Sequence, residues 1–297
     1  MSRLVINSTD WVYRSLYPFE HKYITLDRGT MHYIDKGEGE VLLFVHGTPT
    51  WSFLYRDLIK NLSDTYRCIA IDHLGFGLSS SDSIDPFTPE WHAENLIEFV
   101  QRLNLKRITL CVHDFGGPIG LASAIRMPDR FKQVVMFNTW LWETKGNPEA
   151  QKINKLVNSW LGKQLYLRFN VSPRLLLKKG FRDKKYLTRE IHAHYLKPFP
   201  NKRSRMSLLE LAKSLVGSSD WYADLWAQLE KLSDKKWLIL WGTKDEFITT
   251  QYLERWRAAL PAAQVVTLDC GHFVPEEATQ HTLESIQTFL EDHKELS

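Results

Sequence analysis

The chain has 297 residues, of which 43% are hydrophobic and 25% charged, an ordinary balance for a globular protein with one sizeable core. The formal net charge of +3 is too small to indicate a nucleic-acid partner, and the lysine pairs at 178–179 and 184–185 are typical of a solvated face. The sequence has no secretory leader pattern and no apolar run of membrane-spanning length. We therefore expect a soluble, cytoplasmic protein without a membrane partner, in which Cys68, Cys111 and Cys270 are reduced, buried thiols.

Short apolar runs that end at glycine, proline or polar residues predict strands, and longer stretches with apolar residues at helical spacing predict helices. We expect strands at 21–27, 31–35, 41–45, 66–71, 108–112, 131–137, 236–241 and 263–268. We expect helices at 51–61, 89–103, 115–127, 221–232, 251–259 and 275–293. The first two strands flank a tight turn and predict an antiparallel hairpin, and the later, wholly apolar strands are typical of a parallel sheet. The alternation predicts a doubly wound, mostly parallel α/β sheet.

The alternation of strands and helices stops in the middle of the chain. From 141 to 216 the pattern is helical, with basic residues among the leucines and with Pro173, Pro198 and Pro200 as breaks. No buried strand is predicted there. The sequence therefore predicts a core formed by residues 1–139 and 217–297, with a helical cap over 140–216.

One side chain stands between the central strand and the helix that follows it, in V-H-D-F-G-G-P. A strand that turns abruptly into a helix at one reactive residue, with glycines just beyond, is typical of the nucleophile elbow of α/β-hydrolases. The reactive residue here is Asp114 rather than the usual serine. A carboxylate at this place attacks a saturated carbon and forms an alkyl ester, which water must later hydrolyse. The alternative is that Asp114 only caps the helix.

Two more polar residues follow apolar strands, Asp245 and His272. With Asp114 they follow the chain order nucleophile, acid, base of the α/β-hydrolase triad. We expect His272 to take a proton from water and Asp245 to hold its tautomer, although a turn aspartate and a loop histidine are the simpler alternatives. The backbone N–H groups of Phe115 and Thr48 are predicted to form the oxyanion hole.

Over nearly its full length the sequence resembles the haloalkane dehalogenases. The blocks that carry the resemblance are H-G-T-P-T-W-S-F-L-Y-R, D-H-L-G-F-G-L-S, V-H-D-F-G-G-P-I-G-L, P-D-R-F-K, G-T-K-D-E-F and G-H-F-V-P-E-E. The acid at Asp245, with Asn138 after the preceding strand, is similar to the subgroup of the dichloroethane-degrading enzyme. The resemblance implies an α/β-hydrolase with a cap, a small apolar substrate such as a haloalkane or epoxide, water as co-substrate, and neither cofactor nor metal.

The sequence departs from this family where the leaving halide is bound. The family holds the halide with a tryptophan directly after the nucleophile and a second donor from the H-G-x-P loop or the cap, whereas this chain has Phe115 and Thr48. Phenylalanine offers no N–H donor. The remaining candidates for leaving-group or pocket residues are Trp140, Trp160, Asn138 and Tyr195.

Three other functions remain open on the sequence. An epoxide hydrolase would use cap tyrosines, for which Tyr166, Tyr186 and Tyr195 are candidates. A β-lactone-opening hydrolase related to the dehalogenases would not need the halide donors. A non-catalytic member that binds a small ligand would keep the fold and pocket, but would not need Asp114 and His272 together.

Overall fold

The computed structural model describes residues 9–81 and 86–293. Nine strands of this part form one sheet in the order β1-β2-β4-β3-β6-β7-β8-β9, with β5 paired to β2. They are β1 Lys22–Leu26, β2 Gly29–Lys36, β3 Val41–Val45, β4 Arg67–Ile71, β5 Ser80–Ser81, β6 Ile108–Val112, β7 Phe131–Phe137, β8 Lys236–Gly242 and β9 Gln264–Leu268.

The sheet is antiparallel at one edge and parallel over the rest. β1 pairs with β2 and β2 with β4 in antiparallel register, while β4, β3, β6, β7, β8 and β9 run parallel. The predicted hairpin and the predicted mostly parallel α/β sheet are confirmed. Only β5 is additional, because its two serines carry no apolar pattern that could have indicated a strand.

Helices cover both faces of the sheet. They are α1 Arg56–Leu62, α2 Pro89–Arg102, α3 Gly116–Arg126, α4 Pro148–Asn158, α5 Trp160–Leu167, α6 Leu177–Gly180, α7 Arg189–Leu196, α8 Met206–Gly217, α9 Ser219–Trp226, α10 Thr250–Ala259, α11 Val274–Glu277 and α12 Thr279–Asp292. The prediction of a single helix over 275–293 was wrong, because two helices, α11 and α12, occupy this stretch. Ala278 leaves the helical region, with φ −130° and ψ 36°, and separates α11 from α12.

The chain between β7 and β8 is helical wherever it forms regular structure, and these two strands are neighbours in the sheet. Helix α8 ends at Gly217, and α9 then packs against α3 of the core. The limits of the cap, 140–216, remain a prediction. Apolar residues of this segment, including Tyr166, Phe199 and Leu209, belong to the same buried cluster as Phe115 and Trp140. The surroundings of Asp114 on the cap side are therefore apolar.

Two predictions about the environment of the chain can be compared with the structure. Cys68, Cys111 and Cys270 are free and buried, and burial raises the pKa of Cys68 and of Cys270 to about 12. In the described ranges, no helix has both the length and the apolar character needed to cross a membrane.

Candidate active site

Asp114 lies at the turn from β6 into α3, with its backbone in the left-handed region at φ 53°. A residue other than glycine rarely adopts this conformation unless its surroundings hold it there. The amide N–H of Asp114 donates to the carbonyl of Asn138 at 3.0 Å. The Thr139 hydroxyl donates to the carbonyl of Asp114 at 2.6 Å. The end of the neighbouring strand β7 therefore holds the backbone of Asp114 in this turn.

Close packing around the turn explains two of the glycines nearby. A Cβ atom on Gly47 would lie 2.2 Å from Oδ1 of Asp114, and a Cβ on Gly116 would lie 2.2 Å from the carbonyl oxygen of Val45. Cβ atoms in proteins essentially never lie this close to an atom to which they are not bonded. Glycine at 47 thus allows the loop after β3 to approach the carboxylate, and glycine at 116 allows α3 to begin against β3.

Backbone N–H groups interact with the carboxylate of Asp114. The Thr48 N–H donates to Oδ1 at 2.8 Å, and the Phe115 N–H lies close enough to lower the pKa of the carboxyl group. Burial raises the pKa of Asp114 above its ordinary value, while His272 and these two donors act in the opposite direction with a smaller effect. The Thr48 N–H thus contacts the carboxylate directly and the Phe115 N–H belongs to the next residue, and their role as oxyanion-hole donors stays a prediction.

His272, in the loop after β9, lies between the two carboxylates. Its Nδ1 is 2.7 Å from Oδ2 of Asp245, and its Nε2 is 3.7 Å from Oδ2 of Asp114. The first distance is a hydrogen bond and the second is too long for one. Burial alone would lower the pKa of His272, but the negative charge and hydrogen bond of Asp245 outweigh it, so the pKa is raised. A base that is fixed by one carboxylate and directed at the other can take a proton from a water molecule near Asp114.

Asp245 and Asn138 form a rigid support behind His272. Oδ1 of Asp245 accepts from the N–H groups of Phe247 and Ile248, at 2.7 and 3.1 Å, and Oδ2 accepts from Nδ2 of Asn138 at 2.9 Å. The other end of Asn138 accepts from the Gly242 N–H at 2.8 Å. Both ends of the Asn138 amide are thus engaged by the protein itself, and its contact with Asp245 is that of a residue that orients this carboxylate.

Two other pocket candidates also lie elsewhere. Trp160 is 75% exposed at the start of α5, so its indole does not line a dry cavity. Tyr195 is fully buried, but its hydroxyl donates to Glu276, which also makes a two-point ion pair with Arg56. The structure therefore does not support Trp160 or Tyr195 as leaving-group donors.

Trp140 is the candidate that the structure places beside the nucleophile. Its ring meets the ring of Phe115 edge-to-face, with centroids 4.9 Å apart, and only 2% of the residue is exposed. Among the described residues, neither Nε1 of Trp140 nor Oγ1 of Thr48 has a hydrogen-bond partner. A buried donor without a partner costs roughly 1–3 kcal/mol. Two such donors, one next to Phe115 and one on the loop that holds Asp114, indicate a place for a ligand with acceptor character.

Sequence reasoning missed two residues that shape the site. Thr139 holds the carbonyl of Asp114, and Nε2 of His113 donates to the carbonyl of His272 at 2.9 Å. The signal for Thr139 was its position directly after a strand, at the edge where the polar groups gather. His113 gave no such signal, because its partner is 159 residues away in sequence.

Comparison with known proteins extends this picture. The family model described as alpha/beta hydrolase fold matches residues 40–279. A protein of Shewanella oneidensis named cis-3-alkyl-4-alkyloxetan-2-one decarboxylase is 34% identical over 295 residues, covering 95% of this chain and 92% of its own. Haloalkane dehalogenase 2 of Mycobacterium tuberculosis is 35% identical over 266 residues, covering 89% and 92%. The crystal structure of haloalkane dehalogenase DatA from Agrobacterium tumefaciens C58 superposes with a TM-score of 0.85 at 24% identity, covering 94% and 99%.

Proposed function

Because this chain belongs to the α/β-hydrolase fold family, we propose that it hydrolyses haloalkanes through a covalent ester on Asp114. The observation that carries the proposal is the position of one carboxylate at the elbow, with a histidine–aspartate pair directed at it. A serine at the elbow attacks carbonyl carbon, whereas a carboxylate displaces a leaving group from saturated carbon. The apolar cluster over Asp114 suits a small apolar substrate.

In the first step, an oxygen of Asp114 forms a bond to the substrate carbon while the carbon–halogen bond breaks and the halide leaves with the electron pair. The carboxylate needs no activation by a base, because it is ionised above its pKa. Burial raises this pKa and removes water from the oxygens, which makes the anion a stronger nucleophile.

The leaving halide needs hydrogen-bond donors, since an unpaired anion in an apolar cavity is unstable. Phe115 provides no side-chain donor. The indole N–H of Trp140 and the hydroxyl of Thr48 are buried and free among the described residues, and both belong to the surroundings of Asp114. We assign halide stabilisation to these two groups.

In the second step, His272 takes a proton from water, and the water oxygen attacks the ester carbonyl carbon of Asp114. The negative charge that forms on the carbonyl oxygen is stabilised by the N–H groups of Thr48 and Phe115. The bond between the carbonyl carbon and the alkoxy oxygen then breaks. The alkoxy oxygen takes the proton from His272, and the alcohol leaves. Asp114 is restored with one oxygen from water, and the second proton of the water passes to solvent.

A β-lactone is the second candidate substrate, and two observations favour it. The Shewanella relative is named for an oxetan-2-one and covers 95% of this chain, and Phe115 lacks the donor that halide would need. In a four-membered lactone, attack at the saturated ring carbon breaks the carbon–oxygen bond and releases a carboxylate that stays attached to the substrate. The two oxygens of this carboxylate could accept from Trp140 and Thr48 in place of a halide.

An epoxide is a weaker candidate, because a new alkoxide must be protonated by the cap. Of the three tyrosines considered, Tyr186 is exposed and the hydroxyl of Tyr195 donates to Glu276, so only Tyr166 lies in the apolar cluster. A purely ligand-binding role leaves the ordered contacts of His272 with Asp245 without a purpose.

The test is to offer the purified protein a 1-bromoalkane, a β-lactone and an epoxide of equal chain length, and to measure bromide, ring-opened or decarboxylated product, and diol. Bromide release supports haloalkane hydrolysis. Turnover of the lactone without bromide release would show that the β-lactone, and not the haloalkane, is the substrate. His272→Phe should accumulate the alkyl ester, seen by mass spectrometry as an increment on the peptide that contains Asp114. An unmodified peptide, with a substrate that the wild type turns over, would contradict the covalent mechanism.

A further inference from the structure

Four large apolar side chains are exposed where α4 meets α5. Ile153 and Leu156 of α4 are 42% and 45% exposed, and Trp160 and Leu161 of α5 are 75% and 53% exposed. Soluble proteins seldom expose large apolar side chains in a group, and such groups usually mark an interaction surface. These four residues are referred to below as the cap patch.

The local geometry brings the cap patch together. Ile153 and Leu156 are three residues apart on a helix, so they share a face. At the junction of the helices, the Ser159 hydroxyl donates to the carbonyl of Leu156 and accepts from the N–H of Gly162. A Cβ on Gly162 would lie 1.9 Å from the carbonyl oxygen of Leu156, so the first turn of α5 lies directly against the end of α4.

The cap patch lies in the most basic part of the chain. Residues 150–205 contain 15 lysines and arginines and only two acidic residues, a net charge of +13, whereas the whole chain carries +3. The remainder of the protein therefore carries −10. Lys152, Lys155 and Lys163 are exposed beside the apolar residues. Such a separation of charge orients a protein towards a negatively charged surface.

We propose that the cap patch is a docking surface for an anionic lipid bilayer, which replaces the expectation from the sequence that the protein has no membrane partner. Exposed tryptophan and leucine flanked by lysines are the features by which helices lie in the headgroup region without spanning the membrane. Each basic residue near an anionic surface strengthens binding about fivefold. The acidic remainder of the protein is repelled from the same surface, so the cap faces the lipid.

The charge and the apolar residues of the cap patch favour a lipid bilayer over a second copy of the chain or a nucleic acid. A second copy of the chain, docked patch to patch, would bring Lys152, Lys155 and Lys163 of both copies together, and their like charges oppose association. A nucleic acid would use the basic residues but would leave Ile153, Leu156 and Leu161 exposed. The inference is independent of the reaction at Asp114. It has one consequence for that reaction: small apolar substrates partition into lipid, so docking would place the cap at their source.

The experiment measures co-sedimentation with vesicles of phosphatidylcholine, with and without phosphatidylglycerol, at low and high salt. We expect binding to the anionic vesicles only, weakened by salt. Trp160→Ser combined with Leu161→Ser should weaken binding about tenfold or more, because the apolar anchor is lost. Trp160→Phe combined with Leu161→Met keeps an apolar surface and should bind as the wild type does. All of these side chains are exposed, and thermal melting verifies that each variant is folded.

Charge reversal provides a matched pair. Lys155→Glu with Lys163→Glu should abolish binding to anionic vesicles, whereas Lys106→Glu with Lys231→Glu changes the net charge equally, away from the cap, and should have a small effect. Equal loss in both pairs, equal binding to neutral vesicles, or no vesicle binding would overturn the proposal. So would a dimer that the serine variants dissociate, or binding to duplex DNA without binding to vesicles.

Discussion

The two sides of Asp114 differ in how completely their polar groups are paired. On the side of the base, His272, Asp245 and Asn138 form a continuous chain of hydrogen bonds with backbone N–H groups behind it. On the side of the proposed leaving-group donors, Trp140 and Thr48 each keep a buried donor without a partner among the described residues. A paired network holds a group in place, and an unpaired donor is available to a ligand. The difference in pairing is what the proposed function expects, since the base must be held in place and the leaving group must find free donors.

The largest loss of activity is expected at Asp114, on which both sets of polar groups act. Asp114→Ala removes the nucleophile, so turnover should fall by about 10⁴-fold or more, and no covalent adduct should form. Product formation and intact-protein mass together measure this. Residual turnover close to that of the wild type would place the chemistry elsewhere.

The paired side can be broken at Asp245. Asp245→Asn should slow hydrolysis of the ester by about 10³- to 10⁴-fold, since the histidine loses the carboxylate that fixes its tautomer. Hydrolysis requires neutral His272, so its rate rises with pH through the pKa of that group. Because Asp245 raises this pKa, the midpoint of the profile should move to lower pH in the variant.

Single-turnover hydrolysis of the pre-formed ester across pH measures both quantities. The formation of the ester does not involve the base and serves as the internal control. A slower alkylation step with an unchanged midpoint would show that Asp245 acts only by holding the fold.

The unpaired side is tested at Trp140. Trp140→Phe keeps an aromatic ring against Phe115 but removes the N–H, so halide-releasing turnover should fall about 10- to 100-fold, as expected for a hydrogen bond to an anion. Inhibition by added bromide should weaken in parallel. Trp142→Phe is the matched control, because Trp142 packs against Trp226 and Trp256, and its replacement should leave bromide inhibition unchanged.

The smallest effect is expected at the hydroxyl of Thr48. Thr48→Val keeps the backbone N–H that holds Asp114 and removes only Oγ1, so alkylation should slow about fivefold. Thr48→Ser should restore the rate. If valine and serine behave alike in rapid-quench measurements of alkylation, the hydroxyl has no part in the departure of the leaving group.

The sequence predicted what depends on local pattern and on the topology of a parallel sheet. The strands followed from apolar runs, and Asp114, Asp245 and His272 could be grouped because polar residues after parallel strands gather at one edge. The partners of individual side chains could not be predicted in this way. Asn138 and Asp245 are 107 residues apart, and Tyr195 and Glu276 are 81 apart, so only packing of the whole chain decides these contacts. The same applies to Trp160, which the sequence offered as a pocket residue and which lies on the exposed face of α5.

The buried contact of Tyr195 with Glu276 and Arg56 joins the helical segment between β7 and β8 to the core. It connects α7 to the segment four residues beyond His272 and to the first turn of α1. Removing one member of a buried charge pair costs about 3–5 kcal/mol. The carboxylate of Glu276 therefore fastens α7, from the segment between β7 and β8, to the chain that follows His272, and a change at Arg56 or Glu276 would weaken both attachments together.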